Sequence, residues 1–291
     1  MPRFNVYVPL SLDDALEHLE NNASDTLPIA GATDLLPRIK KKQLPVRNLL
    51  DLSGLSELRY VKREDGEIKI GALTTIGDLE RQVDNSAWAK FLNDVITKFG
   101  SPNIRSLATI GGNICAASSS EDLIPVFLAL DAKVKTLRKS GTREMLLQEF
   151  LVAKRKTALY ADEILAEVSF PEPSGRAACS FQKLGMRNIL IIALVSVAVF
   201  LETDDSRSNI IQARIALNRL KGKIPQRVES VEKGLLDKRL DEHAIKSAVE
   251  RLGEELTLTS DFRASSEYRC EAVKVLLRRA LVDCQQNILG K

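Results

Sequence analysis

Two short runs in this sequence place glycine where a main chain can close on an anion. Ala30-Gly31-Ala32-Thr33-Asp34 follows the apolar stretch Leu27-Pro28-Ile29, and Thr109-Ile110-Gly111-Gly112-Asn113 lies further along the chain. Glycine lets a backbone approach a ligand without a Cβ in the way, and it reaches positive φ at little cost. Successive N–H groups turned outward in such a turn bind phosphate oxygens without a cation. Two turns of this kind could hold two phosphates. The same residues also suit two tight turns that bind nothing, and spacing alone leaves both readings open.

Other chemistries find less support. No G-x-G-x-x-G follows a strand and no G-x-x-x-x-G-K-[ST] is present, so the common nucleotide fingerprints are absent. Cys115, Cys179, Cys270 and Cys284 are widely spaced, and the histidines are His18 and His243. That pattern argues against a zinc site, an iron–sulfur cluster or a disulfide framework within the chain. The serine run Ser118 to Ser120 has no histidine near it in sequence, and the pair Asp204-Asp205 sits in a polar turn. No nucleophilic or acid–base centre is expected, and no residue is assigned a catalytic role.

The elements that must carry the two runs are legible in outline. At 291 residues the chain is long for one core and fits two domains. Apolar residues make up 44% and charged residues 28%, a globular balance. The 42 basic and 39 acidic side chains are interspersed, so no basic tract points to nucleic acid; the triplet Lys40 to Lys42 suits a solvated turn. The longest apolar run, Ile189 to Leu201, is too short for the roughly 20 residues of a membrane span, and no signal peptide opens the sequence. A cytoplasmic protein without a membrane span is the expectation.

A strand, RFNVYV, precedes the helix SLDDALEHLEN, with Ser11 as cap and His18 exposed off its apolar face. GEIKIGAL alternates as a strand, and TTIGDLERQ opens a helix at Thr74 or Thr75. In SAWAKFLNDVITKFG the residues Trp88, Phe91, Leu92, Val95, Ile96 and Phe99 share a helical stripe that Gly100 closes. LIPVFLALDA is expected as a short helix, with strands at AKVKTLR, EILAEVSF and CSFQKL. PEPSGRAA, 171 to 178, has the composition of a linker. Beyond it, the strand 190–201 pairs with IIQARIALNRL across the turn ETDDSRSN, and two amphipathic helices follow, DEHAIKSAVERLGEE and SSEYRCEAVKVLLRRALVDC. The whole is α+β in two pieces.

Five ordered blocks, AGATDLLPRIK, IKIGALTTIGDLE, GSPNIRSLATIGGNICAASSSEDLIPVFLALDA, FQKLGMRNILIIALVSVAVFL and DFRASSEYRCEAVKVLLRRAL, span nearly the whole chain. Together they resemble the FAD-binding (medium) subunit of the molybdenum hydroxylase family, which includes xanthine and carbon monoxide dehydrogenases. The resemblance implies a two-subdomain flavin-binding domain of the PCMH/VAO-like type over 1–173, with subdomains at about 1–55 and 56–173. A smaller α+β domain of sheet and helices over 174–291 would follow. It implies noncovalent FAD in this chain, with molybdopterin on a large partner subunit and 2Fe-2S clusters on a small one. Electrons would pass from those clusters through FAD to NAD+ or another acceptor. The alternatives are a stand-alone FAD-dependent oxidoreductase of related fold and a flavin-free assembly subunit. A variant of this subunit with its own inserted iron–sulfur cluster is disfavoured, because no cysteines cluster.

Carried over by the resemblance, the cofactor residues are Ala30, Gly31, Ala32, Thr33 and Asp34 in the first loop and Thr109, Ile110, Gly111, Gly112 and Asn113 in the second. Phe99 matches an aromatic near the flavin, Asp122 the carboxylate of the D-L-I-P corner, Leu165 an apolar contact and Lys183 the lysine of a K-x-x-x-R block. The serine run merely carries the chain between these residues. Two positions depart from the family pattern. Ala32 stands where a second glycine is usual, so either the backbone there is ordinary or the alanine bears the strain of positive φ. Glu121 stands where glycine is common, and weakens a phosphate site only if its side chain points inward.

Overall fold

The computed structural model of the chain describes residues 3–82, 86–186, 192–220 and 224–290. Its elements in chain order begin with β1 (Asn5–Tyr7), α1 (Leu12–Asn22), β2 (Thr26–Ile29), α2 (Leu35–Lys40), β3 (Asn48–Asp51), β4 (Val61–Glu64), β5 (Glu67–Gly71) and α3 (Ile76–Arg81). Then come α4 (Ala87–Ile96), α5 (Pro102–Arg105), α6 (Ile110–Ala116), α7 (Leu123–Ala129), β6 (Lys133–Arg138), β7 (Gly141–Leu146), α8 (Leu147–Phe150), β8 (Leu151–Ala153) and β9 (Lys156–Thr157). The chain continues with β10 (Ile164–Pro171), β11 (Ala177–Leu184), β12 (Val195–Thr203), β13 (Ile210–Leu217), β14 (Gln226–Arg227), α9 (Glu229–Leu235), α10 (Glu242–Glu255) and α11 (Ser266–Ile288). They form two compact units. One comprises Met1–Arg81, Ser101–Ala116 and Ala132–Phe170, the other Gln82–Gly100, Ala117–Asp131 and Pro171–Lys291.

The first unit holds two sheets. β1, β3 and β2 lie in that order as a parallel sheet, whose connections run through α1 and α2 as parallel strands require. The Ser11 hydroxyl accepts from the Asp14 N–H at 3.1 Å and starts α1, whose Ala15, Leu16 and Leu19 are buried. These side chains share a core with Leu50 and Leu52 and with Ile164 and Ala166 of β10. The second sheet has the order β4-β5-β10-β6-β7. A reciprocal cap opens α3: the Thr75 N–H donates to Asp78 and the Asp78 N–H to the Thr75 hydroxyl, both at 3.0 Å. Main-chain bonds from Ile76 N–H to the Ala108 carbonyl (2.9 Å) and from Ile110 N–H to the Thr74 carbonyl (3.0 Å) then fix the start of α6 against the start of α3.

The second unit is built on the antiparallel sheet β11-β12-β13-β14. Val195, Val197, Val199 and Leu201 of β12 enter a core with Leu252, Val273, Leu277 and Leu281, while the alternate residues Ser196, Ala198 and Phe200 are equally buried. Both faces of β12 are therefore covered, which explains a continuous apolar run where alternation would mark a half-exposed strand. The segments 82–100 and 117–131 belong to this unit because they carry α4, which packs on β11, and α7, which packs on β12 and β13. Asp241 caps α10 and Ser265 caps α11 through the N–H groups of Ala244 and Tyr268. In the DFRASSEYR block the fully buried Arg269 donates to the Thr259 carbonyl and, at 2.6 Å, to Asp261.

Several expectations change. α4 ends at Ile96 with Thr97 as its C-cap, so Phe99 stands beyond the helix and off its buried stripe. His18 is half-buried and stacks on Tyr7 with ring centroids 4.1 Å apart, so it is not simply exposed. The strand expected from 190 pairs only from Val195, and positions 190 and 191 lie outside the described residues, as does the arginine of the K-x-x-x-R block. No described helix is long and apolar enough to cross a membrane.

Candidate functional site

β2 delivers the chain into the turn Ala30 to Asp34, and the geometry there depends on a glycine. A Cβ added to Gly31 would lie 1.8 Å from the Leu107 carbonyl oxygen and 2.6 Å from its carbon, so the backbones touch only because no side chain intervenes. Ala32 then takes φ +60°, a left-handed conformation that costs an alanine about 1 kcal/mol. Of the two possibilities for this departure from Gly-Gly, the strained one is realised. The Ala32 carbonyl accepts from the Leu36 N–H at 3.1 Å and α2 begins. The N–H groups of Gly31, Ala32, Thr33 and Asp34 meet no acceptor among the described residues, although all four residues are half-buried. Four consecutive unbonded donors in a turn form the kind of concave array that takes up an anion.

The second glycine run is not a loop with outward N–H groups, and that expectation is corrected. Ile110–Ala116 is helix α6, so Gly111, Gly112 and Asn113 form its first turn. Their donors are committed internally: Gly111 N–H to the Ala72 carbonyl at 2.8 Å, Gly112 N–H to the Thr109 hydroxyl at 3.0 Å and Asn113 N–H to the Thr109 carbonyl at 3.0 Å. Gly111 serves close packing, since a Cβ there would lie 2.7 Å from the Ala72 methyl and 2.9 Å from its carbonyl oxygen. Gly112 is exposed, and a Cβ there would meet only the Thr109 hydroxyl within 4 Å.

Gly112 faces an open cleft of about 170 Å³ within the first unit, lined by Ile29, Ala30, Thr109, Cys115, Glu163 and Leu165 among others. The space is smaller than the roughly 300–1,000 Å³ of a whole-ligand pocket, so it suits part of a dinucleotide. Burial pushes the Glu163 carboxyl up, but Arg143, the Tyr160 N–H and Thr136 outweigh it and hold the group below its ordinary value. Arg143 grips Glu163 with two bonds of 2.7 and 2.5 Å. Asp34, on the turn itself, pairs with Arg155 at 2.9 Å and Arg38 at 3.5 Å. Both carboxylates are thus compensated, which an anionic ligand requires. Burial pushes the Cys115 thiol up to about 12.

In the second unit Lys183 bonds Asp122 at 2.5 Å and the Lys98 carbonyl at 3.0 Å, beside Phe99 in sequence. The pair is buried, with 5% and 9% of the two side chains exposed. Burial pushes the Asp122 carboxyl up against the opposing pull of Lys183 and Arg219, and its Oδ1 has no partner among the described residues. The serine run folds into a turn in which the Ser118 and Ser120 hydroxyls lie 3.1 Å apart and the Ser119 carbonyl accepts from Arg219 N–H.

The structure thus places Ala30 at the head of the turn, the start of α6 and Leu165 around one cleft in the first unit, and pairs Asp122 with Lys183 in the second. Phe99 follows Lys98 there. Sequence reasoning missed Arg38, Arg143, Arg155 and Glu163. Glu163 opens a strand pattern, but its partner lies 20 residues away and Asp34 lies 121 from Arg155, separations at which no local pattern operates.

An open main-chain donor array beside an apolar cleft with neutralised carboxylates, carried on an α+β framework, defines a protein that binds an anionic cofactor. Residues 2–173 match the family model described as the FAD binding domain in molybdopterin dehydrogenase, and residues 180–284 match the CO dehydrogenase flavoprotein C-terminal domain. The chain belongs to this family of FAD-binding subunits of molybdenum hydroxylases. It is 29% identical to the nicotinate dehydrogenase FAD-subunit of Eubacterium barkeri, covering 100% of this chain and 99% of that one. It is 30% identical to the glyceraldehyde dehydrogenase medium chain of Sulfolobus acidocaldarius, over 96% and 97% of the two chains. Among solved structures, reconstituted CO dehydrogenase from Oligotropha carboxidovorans matches with a TM-score of 0.92 at 26% identity, over 98% of this chain and 99% of that one.

Proposed function

We propose that this chain is the FAD-carrying electron-transfer subunit of a cytoplasmic molybdenum-containing hydroxylase. Its partners are then a large molybdopterin-binding subunit and a small 2Fe-2S subunit, and its electron acceptor is NAD+ or another oxidant. The relatives named above carry "FAD-subunit" and "medium chain" in their names, which supports a multi-subunit setting. The observation that carries the reading is the turn Gly31–Asp34, whose four N–H groups stand unbonded next to Ala30, which lines a cleft together with Gly112.

Bound flavin supplies the redox chemistry. The chain's residues bind and orient it. The Gly31–Asp34 N–H groups take the diphosphate. Gly111 packs α6 against Ala72, and Thr109, Ile110 and Asn113 hold that helix start in place so that Gly112 presents no side chain to the cleft. Leu165 offers an apolar wall. Phe99, Asp122 and Lys183 are assigned to the flavin by the resemblance. The Oδ1 of Asp122 is buried without a hydrogen-bond partner among the described residues. The domain division at 173/174 belongs to the same reading.

The test is reconstitution of the purified chain with FAD, desalting and an absorbance scan. The expected result is retained flavin, released on denaturation because it is not covalently bound. Gly112→Val, which adds a side chain at the cleft wall, is expected to lose it. A chain that keeps no flavin overturns the reading, and undiminished retention by Gly112→Val overturns the cleft assignment.

A further inference from the structure

A non-glycine residue in the left-handed region is strained, and such strain persists where the surroundings hold it. Arg155 is one: it takes φ +64° at the turn between β8 and β9. Arg155 is exposed like its neighbours Lys154 and Lys156, with 31% of its side chain accessible, yet its guanidinium is engaged. Its guanidinium is held by two acceptors through the same nitrogen, Nη1: Asp34 Oδ2 at 2.9 Å and the Ala116 carbonyl at 3.0 Å. Asp34 ends the turn with the four open N–H groups, and Ala116 ends α6, the helix whose Gly112 and Cys115 line the cleft. One side chain from a third segment therefore ties together the two that border the cleft.

The charge matters as much as the tie. The Asp34 side chain makes no cap bond to α2, so its carboxylate is not needed to start that helix. Left alone, it would set a negative charge beside donors that must receive an anion. Arg38 lies at 3.5 Å from it, one turn along α2, while Arg155 makes the shorter bond.

We propose that Arg155 is a positioning residue of the diphosphate cradle: it neutralises Asp34 and fixes the Gly31–Asp34 turn to the end of α6, so that the open N–H groups accept the anionic cofactor. The inference rests on the reading of this chain as an FAD subunit.

The test is a two-by-two set in the full chain, wild type, Arg155→Gln, Asp34→Asn and the double variant, with Arg155→Lys as a charge-keeping control. FAD is titrated against each and binding followed by flavin fluorescence at low and moderate salt, with circular dichroism as the check on fold. Loss of a charge-assisted bond beside an anion is expected to weaken FAD binding about tenfold or more in Arg155→Gln. The deficit should shrink as salt screens Asp34. The double variant should recover most of the affinity, because the repelling carboxylate is gone, and Arg155→Lys should fall between. A purely structural role predicts no recovery by Asp34→Asn. FAD binding by Arg155→Gln equal to wild type, or a double variant as weak as Arg155→Gln, overturns this inference alone. A wild-type chain that binds no FAD overturns the functional reading, and this inference with it.

Discussion

Substituting Gly31 by alanine isolates a steric effect from a conformational one. Gly31 does not occupy the left-handed region, so alanine at this position carries no φ penalty. What it meets is main chain, at 1.8 Å from the Leu107 oxygen and 2.6 Å from its carbon. Neither atom belongs to a flexible side-chain end, so the turn or the 101–108 segment must move. Overpacking costs roughly 1–3 kcal/mol where side chains can adjust, and a backbone collision belongs at the top of that range. About 3 kcal/mol corresponds to a fall in Tm of roughly 6–12 °C for a chain of this order. The neighbouring change has the opposite sign: Ala32→Gly releases about 1 kcal/mol of left-handed strain, offset in part by the freer unfolded chain. Gly54→Ala is the control, exposed and with nothing within 4 Å of an added Cβ, and should leave Tm almost unchanged. Scanning calorimetry on the three variants makes the comparison. A Gly31→Ala protein melting within about 1 °C of wild type would refute the close approach and with it the shape assigned to the turn.

The remaining predictions concern titration and reactivity. The Arg59 guanidinium, bonded at 2.6 and 2.9 Å, together with Thr75, holds Asp78 well below its ordinary value of 3.8 despite partial burial. A depressed carboxylate stabilises the fold above the unfolded value and ceases to do so as pH falls from 3.8 toward the folded value. Urea melts at about pH 5 and pH 3 should therefore show a larger acid loss for wild type than for Asp78→Asn, and equal losses would count against the pair. Cys115, pushed up to about 12 by burial, should alkylate slowly with iodoacetamide at neutral pH and rapidly in urea. Fast labelling of the native chain, located by peptide mapping, would count against the raised thiol.

Where signals are local, the sequence speaks for the fold. Ser11 announces its helix because a cap and its N–H partner lie within three residues, the span over which Asp241 and Ser265 also cap theirs. The β12–β13 hairpin follows from two apolar strands flanking a polar turn. Phe99 fails as a member of the α4 stripe because helical periodicity continues in sequence past the point where the backbone leaves the helix at Ile96. The interleaving of 82–100 and 117–131 with the β11–β14 sheet is set by tertiary burial of α4 and α7, which no linear pattern encodes. Arg155 with Asp34 and Arg143 with Glu163 were invisible for the same reason.

The two glycine runs look alike in sequence but fold differently, and the cause lies in the contacts and backbone conformation around each. Adjacent glycines disfavour a helix interior by about 1 kcal/mol each, so Gly111-Gly112 suggests a loop. Packing of Gly111 on Ala72 and the Thr109 hydroxyl on the Gly112 N–H override that preference and draw the run into α6, which consumes its donors. At Gly31 the left-handed Ala32 turns the chain before α2 can close on it, and four donors stay outside the helical ladder. The open main-chain donors therefore lie in the first run, while the second places a residue without a side chain, Gly112, at the cleft. Substitutions that restore propensity in α6 should accordingly spare the donor array, whereas any that let residues 31–34 enter the α2 ladder should abolish it.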